Sequence, residues 1–454
     1  MQEEFKLRKK PYNLPVPIVR PTDTDFTIEE IKALIKEHQT MMQRYEYLEN
    51  LYKGFHDVYR LPEKESWKPD NRLAVNFPRY ITDTFLGYAY GIPIKKTHPE
   101  DEIDEAIKEF DRINDFTDHE YELAKKCCMY GHAFEYFYQN EDAQTKTTIC
   151  TPKELFIVYD DTVRQKALCA IRYGYRGTKR ELFGELMFAN EIKEFTDKKI
   201  TEIRDNPYGM INCVEYMLNS ERIGLYEQVS GLVEAYNRVI GEKANDVDSF
   251  AEAYLAVLGA ELDEEGVYKI RDNRIINLYG TDNAKDILVQ FLGKPTADGT
   301  QENLLDRLEV LIYQISMVAN ISDESFGNAS GVSLAYKLLA MSNLALTVDR
   351  KFEKSIRKRY KIFCSLPTNV SDPEAYNDIE ITMSRNIPKN LLEEAQIATM
   401  LEGVVSKETQ LNTLSIVKDS ASEIEKMKEE EQNTLDSVMD RTFGGDNNEP
   451  VLER

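Results

Sequence analysis

The chain lacks the motifs by which the common enzyme classes bind phosphate or build a nucleophile. It has no Gly-x-x-x-x-Gly-Lys-Ser/Thr loop, which argues against a motor that hydrolyses ATP by itself. It also has no Gly-x-Ser-x-Gly elbow and no His-Glu-x-x-His zinc motif. No apolar run approaches the roughly 18 residues that a membrane span needs, so no contact with a membrane is expected. The N-terminus, which begins Met1-Gln2-Glu3-Glu4, lacks a basic region followed by an apolar one, so no signal peptide is expected.

Cysteine is scarce and positive charge is outnumbered. The six cysteines include the adjacent pair Cys127 and Cys128, but no spacing typical of a disulfide framework, which indicates synthesis in a reducing compartment. Lys and Arg total 57 against 80 Asp and Glu, for a formal net charge of −23. The excess of acidic residues argues against tight binding of duplex DNA over the whole surface, because that binding depends on cations that replace counterions. A negative surface repels phosphates, so it is compatible with a protein along which DNA moves without binding tightly.

The chain is long enough for several cores. Its 454 residues predict two to four domains or subdomains, and a hydrophobic content of 42% allows them to bury substantial apolar surface. Thr27 followed by Glu30 is a capping box that begins a helix, which continues with a break to about Tyr52. Further helices are predicted over residues 71–93, 100–114 and 117–131.

Apolar and polar residues alternate from Ala133 to Met217, which predicts an antiparallel β region. Within it, Thr151–Glu154 has the pattern of a second capping box and predicts one helical turn between strands. The alternation returns at Asp378–Met383 and predicts a lone strand there.

Two long helices are predicted on either side of a small β module. The first runs from Gln228 to about Leu258, and the second begins at about Gln301. Between them, short strands are predicted at Val267–Ile270, Arg274–Leu278 and Ile287–Leu292. The second helix has an apolar heptad seam formed by Leu304, Leu308, Leu311, Ile315 and Val318.

A third helix repeats this rhythm after a segment that cannot be helical. Its seam consists of Leu338, Met341, Ala345, Val348, Phe352 and Ile356. The segment before it, Ser322–Gly331, is too rich in Gly, Asn and Ser to form a helix and predicts a loop. Asp323, Glu324 and the aromatic Phe326 stand at its tip. A loop held out by two long helices is unusual in an enzyme and common in a ring-shaped machine.

The C-terminal half of the third helix is strongly basic. The run consists of Arg350, Lys351, Lys354, Arg357, Lys358, Arg359 and Lys361. Three interpretations stay open: a face that contacts DNA, a surface that pairs with acidic residues of a neighbouring subunit, and a solvated helix end where cations favour the dipole.

One cluster of possible metal ligands fits a metal site poorly. His119, Cys127, Cys128 and His132 lie close together in the sequence, but adjacent cysteines on a helix point about 100° apart. Ordinary core or surface roles are the favoured interpretation, and neither a metal nor a cofactor is expected.

A second cluster, Asp160-Asp161, suggests the divalent-cation site of a nuclease, because it follows an apolar strand. No further carboxylates stand at a recognisable spacing, however. A strand-end turn, in which an Asp accepts backbone hydrogen bonds, is the favoured interpretation.

Short motifs occur along the chain in a specific order. They include Asn71-Arg72, Asn76-Phe77, Gly91-Ile92-Pro93-Ile94, Tyr130-Gly131-His132-Ala133, Val158-Tyr159-Asp160-Asp161-Thr162, Ala244-Asn245-Asp246, Ser322-Asp323-Glu324 and Ser384-Arg385-Asn386-Ile387-Pro388-Lys389. In this order and spacing, over roughly residues 70–410, the chain resembles the SPP1-type portal proteins of tailed bacteriophages.

The resemblance implies an α+β, mainly helical fold with the portal architecture of wing, stem, clip and crown. The implied parts are the wing at 1–227, the first stem helix at 228–258, the clip at 259–300, the second stem helix at 301–320, the tunnel loop at 321–331, a long helix with the return strand of the wing at 332–390, and the crown with an acidic tail at 391–454. Such portals are rings, usually of twelve subunits, around a DNA channel.

The resemblance also implies a function without covalent chemistry. A portal occupies one capsid vertex, docks the terminase during packaging, later holds head-completion and tail proteins, and passes double-stranded DNA; capsid and scaffolding proteins are further implied partners. The residues implied for the channel are Ser322, Asp323, Glu324, Ser325, Phe326, Gly327, Asn328, Ser330 and Gly331. Those implied for the terminase contact at the clip are Tyr268, Arg271, Arg274 and Tyr279.

Two alternatives from other classes remain. One is a metal-dependent nuclease or terminase-like enzyme that uses Asp160 and Asp161, although the missing phosphate-binding loop weakens it. The other is a helical scaffold or adaptor without a channel.

Overall fold

The computed structural model of the protein describes most of the chain. The described residues fall in two compact units, Met1–Asn386 and Ile387–Arg454. They comprise residues 15–65, 68–251, 255–258, 288–291, 298–322, 331–387, 391–414, 416–417, 420, 422–428 and 430. No helix within these ranges is long and apolar enough to cross a membrane.

Helices and strands are both abundant, as expected for an α+β fold. The helices are α1 (Ile28–Gln39), α2 (Met42–Lys53), α3 (Phe77–Ala89), α4 (Asp101–Ile113), α5 (Phe116–Tyr130), α6 (Ser230–Ala251), α7 (Asp298–Ser316), α8 (Gly331–Cys364), α9 (Leu391–Met400) and α10 (Lys407–Asn412). The strands are β1 (Ile18–Arg20), β2 (Lys95–Thr97), β3 (His132–Gln139), β4 (Thr145–Cys150), β5 (Leu155–Asp160), β6 (Ala167–Arg176), β7 (Glu181–Met187), β8 (Glu191–Thr196), β9 (Ile200–Asp205), β10 (Cys213–Met217), β11 (Leu255–Leu258), β12 (Leu288–Phe291) and β13 (Glu380–Thr382).

Local capping sets where the first helices begin and end. The hydroxyl of Thr27 accepts a hydrogen bond from the Glu30 amide at 3.3 Å, which confirms the predicted start of α1. The predicted break falls at Thr40, which caps the C-terminus of α1. Helix α3 begins later than predicted, at Phe77, because the Asn76 side chain caps it by accepting from the Arg79 amide at 3.1 Å.

The predicted antiparallel region forms two sheets. One has the order β1-β5-β6-β7-β8-β9, and the other has the order β10-β3-β4. The pair β1–β5 is parallel, with Ile18 opposite Val158. The single helical turn predicted at Thr151–Glu154 is confirmed: the Thr151 carbonyl accepts from the Glu154 and Leu155 amides at 3.1 and 3.2 Å. Glu154 also binds the Thr151 amide at 2.9 Å, and β5 begins at the next residue.

The single helix predicted from Gln228 to Leu258 is wrong at its C-terminal end. Helix α6 stops at Ala251, and Leu255–Leu258 forms strand β11, which pairs antiparallel with β12. Helical periodicity continued through this segment, but the pairing partner lies further along the chain, at residues 288–291. The strand predicted at Ile287–Leu292 is confirmed as β12. The strands predicted at Val267–Ile270 and Arg274–Leu278 lie outside the described residues.

The apolar seam of α7 differs from the predicted heptad. Leu305, Leu308 and Ile312 are buried, whereas Leu304 and Ile315 are 45% and 43% exposed. Both sets follow helical spacing, so the sequence could not choose between two adjacent stripes. Helix α7 presents the first stripe to the core and leaves part of the second to solvent.

Helix α8 follows its prediction closely. Every residue of the predicted seam, from Leu338 to Ile356, is buried. The predicted lone strand is confirmed as β13, but it is not alone, since it pairs antiparallel with β2. Residues from Leu391 onward form α9 and α10, as predicted for that region, and Ser406 caps α10 by accepting from the Thr409 amide at 3.3 Å.

Candidate functional site

Helices α6 and α7 pack against each other as a pair. Gln301 of α7 donates to the Asp246 carboxylate of α6 at 3.0 Å, and Lys243 pairs with Glu302 between the same two helices. The small β pair β11–β12 lies in the stretch of chain between these helices. The two helices agree with the prediction, and β12 coincides with a predicted strand of the β module, whereas β11 lies where helix was predicted.

An extended segment before α3 runs along α6 and is bound by two asparagines. The buried Asn237 accepts from the Val75 amide at 2.8 Å, and the Asn245 side chain accepts from the Asn71 amide at 2.6 Å. Asn71 and Asn245 belong to two of the motifs that carry the resemblance. The fold therefore brings together segments that lie 174 residues apart in the sequence.

The loop predicted between α7 and α8 is described only at its two ends. Ser322 is exposed, and Gly331 is the first residue of α8. The channel residues Asp323, Glu324, Ser325, Phe326, Gly327, Asn328 and Ser330 lie outside the described residues. So do the clip residues Tyr268, Arg271, Arg274 and Tyr279.

The structure divides the basic run of α8 into three groups. Arg350, Lys354, Lys358 and Lys361 are exposed. They recur at intervals of four, four and three residues, which places them on one helix face. This exposed set is called the basic face below. Lys361 also lies 5.3 Å from the centre of the Tyr376 ring.

Two members of the run are tied to their own chain. Lys351 donates to the Ser220 hydroxyl at 2.7 Å. Arg357 pairs with Glu353 at 3.0 Å and donates to the carbonyl oxygens of Asn377 and Ile379 at 3.3 and 3.2 Å. These two side chains stabilise the packing of α8 against neighbouring segments.

Arg359 does not belong to the surface at all. Its side chain is 0% exposed, so the prediction that Arg359 contacts DNA or a neighbouring subunit is wrong. Its Nε donates to Glu135 at 2.9 Å, and a second nitrogen pairs with Glu120. The guanidinium also lies 4.1 Å from the centre of the Phe116 ring. Helical periodicity explains the correction, because Arg359 follows Phe352 and Ile356 on the buried face.

Arg359 is the centre of a buried charge network that joins α8 to α5 and β3. His119 lies 2.9 Å from the second oxygen of Glu135, and the Tyr216 hydroxyl donates to that carboxylate at 3.0 Å. Burial raises the pKa of Glu135, but attraction to Arg359 and His119 outweighs burial and lowers it to about 2. Glu135 is therefore ionised at neutral pH.

The network continues to α4 and β2. The ammonium of Lys96 lies 3.0 Å from Glu120 and 3.1 Å from Asp111. The Tyr360 hydroxyl of α8 donates to Asp111 at 2.6 Å. Burial raises the pKa of Asp111, in spite of the opposing charge of Lys96. The C-terminal part of α8 is thus bound to β3, α5 and α4 by polar contacts of Arg359 and Tyr360.

A second buried network is centred on Glu215 of β10. Arg222 binds its two oxygens at 2.6 and 2.9 Å, and the Tyr159 hydroxyl donates to it at 2.8 Å. Burial lowers the pKa of His132, so the ring is neutral. Its Nδ1 then donates to Glu215 at 2.7 Å, and its Nε2 accepts from Tyr45 at 3.0 Å. Burial raises the pKa of Glu215, but His132 and Arg222 outweigh it and hold the pKa well below its usual range.

The residues considered as metal ligands have structural partners. His119 and His132 bind Glu135 and Glu215, and both cysteines of the pair are buried in the core. Burial raises the pKa of both thiols. Within the described ranges, no group of three or more His, Cys, Asp or Glu side chains is arranged to hold a metal ion.

Asp160 caps the turn after β5, which confirms the favoured interpretation. One of its oxygens accepts from the Thr162 hydroxyl at 2.7 Å, the Thr162 amide at 3.2 Å and the Lys166 amide at 3.0 Å. The hydrogen bond from Thr162 is the main cause that lowers the pKa of Asp160. Asp161 is exposed next to it.

Sequence reasoning missed the two carboxylates at the centres of the networks. A signal was present, because Glu135 and Glu215 each interrupt an apolar strand, in the runs Ala-Phe-Glu-Tyr-Phe and Cys-Val-Glu-Tyr-Met. A charged residue among buried neighbours usually has a buried partner. The partners were not readable, since Arg359 lies 224 residues from Glu135.

Comparison with known proteins gives relatives along nearly the whole chain. Residues 31–436 match the family described as phage portal protein, SPP1 Gp6-like. The portal protein of Bacillus phage SPP1 is 20% identical over 436 residues, with 88% of this chain and 86% of that protein covered. The portal protein of Clostridium phage phiCD119 is 22% identical over 444 residues, with 89% and 96% covered.

Two similar solved structures are described as the neck of a GTA particle. One, described as "Neck of native GTA particle computed with C12 symmetry", has a TM-score of 0.44 at 10% identity and covers 75% of this chain and 90% of the other. Another, "Neck of empty GTA particle computed with C6 symmetry", has a TM-score of 0.44 at 8% identity, with 74% and 89% covered. The family match over residues 31–436 shows that this chain belongs to the SPP1 Gp6-like family of phage portal proteins.

Proposed function

We propose that this protein forms the ring-shaped DNA channel at one vertex of a phage capsid. In this role it docks the terminase during packaging, holds head-completion and tail proteins afterwards, and passes double-stranded DNA during ejection. Membership of the portal family over residues 31–436 is the observation that carries the proposal. The protein performs no covalent step; it positions DNA and partner proteins. Its place is the virion, after assembly in the host cytoplasm with capsid and scaffolding proteins.

Each part of the proposed portal corresponds to a continuous segment of the chain. Helices α6 and α7 form the stem, and the residues between them form the clip, where Tyr268, Arg271, Arg274 and Tyr279 contact the terminase. Residues 321–331 form the tunnel loop. In the ring, Asp323 and Glu324 form acidic rings that repel the DNA phosphates and so weaken binding of DNA to the channel wall. A ring repeats each loop around the channel, so a few residues per subunit act together.

The first prediction concerns assembly. The purified full chain is expected to form a ring of about twelve subunits with a central hole, because weak contacts repeat around a closed ring. Native mass spectrometry combined with negative-stain imaging measures the subunit number and shows the hole. A compact dimer without a hole would contradict the proposed function and favour the adaptor alternative.

Ring formation and terminase-driven packaging, measured on charge-reversed variants, test which partner the basic face of α8 contacts. Lys354→Glu combined with Lys358→Glu reverses its charge, and Lys354→Met combined with Lys358→Met is the matched neutral control. If the basic face pairs with an acidic neighbouring subunit, the charge-reversed chain is expected to lose the ring. If it contacts DNA, the ring persists and packaging fails. A ring with wild-type packaging would reject both contacts.

A second prediction separates the tunnel loop from the clip. Phe326→Ala is expected to leave ring assembly and terminase binding intact but impair packaging, because the loop acts on DNA. Arg271→Ala combined with Arg274→Ala is expected to weaken terminase binding and leave the ring intact. Terminase pull-down and terminase-driven packaging are measured on both variants. Wild-type packaging by the Phe326 variant would contradict the loop assignment, and unchanged terminase affinity would contradict the clip assignment.

A further inference from the structure

The chain leaves α7 through a short, well-defined segment, residues 317–322, which we call the loop root. Met317 follows the last residue of α7 in the left-handed conformation, with φ of 59°. This turn ends the helix and redirects the backbone. The next residue, Val318, is only 2% exposed and fastens the root to the core, with Ala319 packed beside it. Residues 320–322 are then held by hydrogen bonds.

The hydroxyl of Tyr80 on α3 is the centre of those contacts. It accepts a hydrogen bond from the Ile321 amide at 3.0 Å and lies 3.5 Å from both the Asn320 side-chain oxygen and the Ser322 hydroxyl. Asn320 is itself held on α7, where it donates to Glu309 at 3.3 Å. Its side-chain oxygen also accepts from the Ser322 amide at 3.2 Å. One tyrosine hydroxyl thus meets three consecutive residues of the root.

Tyr80 is itself fixed by a row of aromatic rings that crosses three helices. Its ring meets Tyr313 of α7 edge to face at 5.8 Å, and Tyr313 meets Phe77 of α3 at 5.9 Å. Phe77 then meets Tyr236 of α6 at 5.0 Å. Edge-to-face packing of this kind is favoured by the charge distribution of aromatic rings. The row therefore holds the Tyr80 hydroxyl in place relative to α6 and α7.

The other end of α3 binds the chain where it returns from α8. The carbonyl of Tyr88 accepts from the Asn386 amide at 3.0 Å, and the carbonyl of Ala89 accepts from Arg385 at 3.4 Å. About 12 Å of helix separates Tyr80 from Tyr88. Helix α3 thus binds the chain both before and after the stretch that contains the predicted loop and α8.

We infer that Tyr80 is a positioning residue whose hydroxyl fixes the backbone at Ile321 and so sets the direction in which the chain leaves α7. The consequence for DNA rests on the proposed function, since the root leads into the proposed tunnel loop. The anchoring itself does not depend on that function and is measured separately.

The test removes only the hydroxyl. Tyr80→Phe keeps the aromatic row, and Tyr52→Phe is the matched control, because Tyr52 donates to Asp83 of the same helix at 2.8 Å without touching the root. Hydrogen exchange of the full chain is followed at the Ile321 amide by mass spectrometry with residue-level fragmentation. Loss of one neutral hydrogen bond is expected to speed exchange there about five-fold in Tyr80→Phe and to leave it unchanged in Tyr52→Phe.

The outcomes separate the anchor from the function. Unchanged exchange at Ile321 in Tyr80→Phe would overturn the inference, and equal acceleration in both variants would also overturn it, because α3 would then act only through its general stability. Faster exchange confined to Tyr80→Phe supports it. Terminase-driven packaging by the same variant is then expected to slow. Normal packaging despite the local change would leave the anchor standing and count against the proposed role of the loop.

Discussion

Arg359→Met is expected to destabilise the protein by about 3–5 kcal/mol, the typical cost when one partner of a buried ion pair is removed. Arg359 is 0% exposed and binds both Glu135 and Glu120. Without it, the partners of the ionised Glu135 among the described residues are the His119 ring and the Tyr216 hydroxyl. Urea titration followed by circular dichroism measures the loss in the free energy of unfolding.

Two further variants test whether the loss of stability comes from the buried charge network. Lys354→Met makes the same substitution at an exposed position of the same helix and is expected to change stability by no more than about 0.5 kcal/mol. Arg359→Met combined with Glu135→Leu removes both charges and is expected to recover part of the loss. Equal stability of the Arg359 and Lys354 variants would show that the buried network contributes nothing measurable. If the single Arg359 variant is insoluble, recovery of soluble protein by the double variant is the expected result.

Acid is expected to destabilise the protein through His38. The ring is 2% exposed, stacks on Phe156 at 4.4 Å and lies 3.1 Å from the Tyr173 hydroxyl. Burial lowers the pKa of His38 from 6.5 to about 3. The unfolded chain therefore takes up a proton at pH values where the folded chain does not, and stability is lost as pH falls from about 6.5 towards 3.

The size of this effect follows from the two pKa values. Between pH 7 and pH 5 the His38 ring accounts for a loss of roughly 2 kcal/mol in the free energy of unfolding. His38→Phe is expected to abolish that share of the pH dependence, whereas Tyr173→Phe, which removes the hydrogen-bonding partner but leaves the histidine, is expected to retain it. Urea titrations of all three proteins at both pH values measure the difference. An identical pH dependence in wild type and His38→Phe would contradict the expectation.

Patterns that act over a few residues were readable from the sequence. The cap at Thr27, the turn capped by Asp160, the alternation of the β region and the buried seam of α8 were all predicted correctly. In each case every side chain that decides the structure lies only a few residues from the next one in the pattern. The family resemblance was also readable, because it rests on short motifs and their order, and the family match confirms it.

Features that depend on a distant partner were not readable. The end of α6 at Ala251 is followed by a strand that pairs with residues 288–291. Whether Leu304 or Leu305 faces the core depends on where the neighbouring elements lie against α7, since both positions fit a helical stripe. The positions assigned to the channel and the clip remain predictions, because most of them lie outside the described residues.

The sequence by itself determined the kind and order of most elements and the family, because periodicity, caps and motifs are local properties of the chain. Only the tertiary structure decided which charges are buried. Arg359 looks like one of seven equivalent cations in the sequence, yet it is enclosed with Glu135 and Glu120, while Lys354 and Lys358 remain exposed on the same helix. A buried charge is stable only beside its counter-charge, and these carboxylates lie 224 and 239 residues away in the chain.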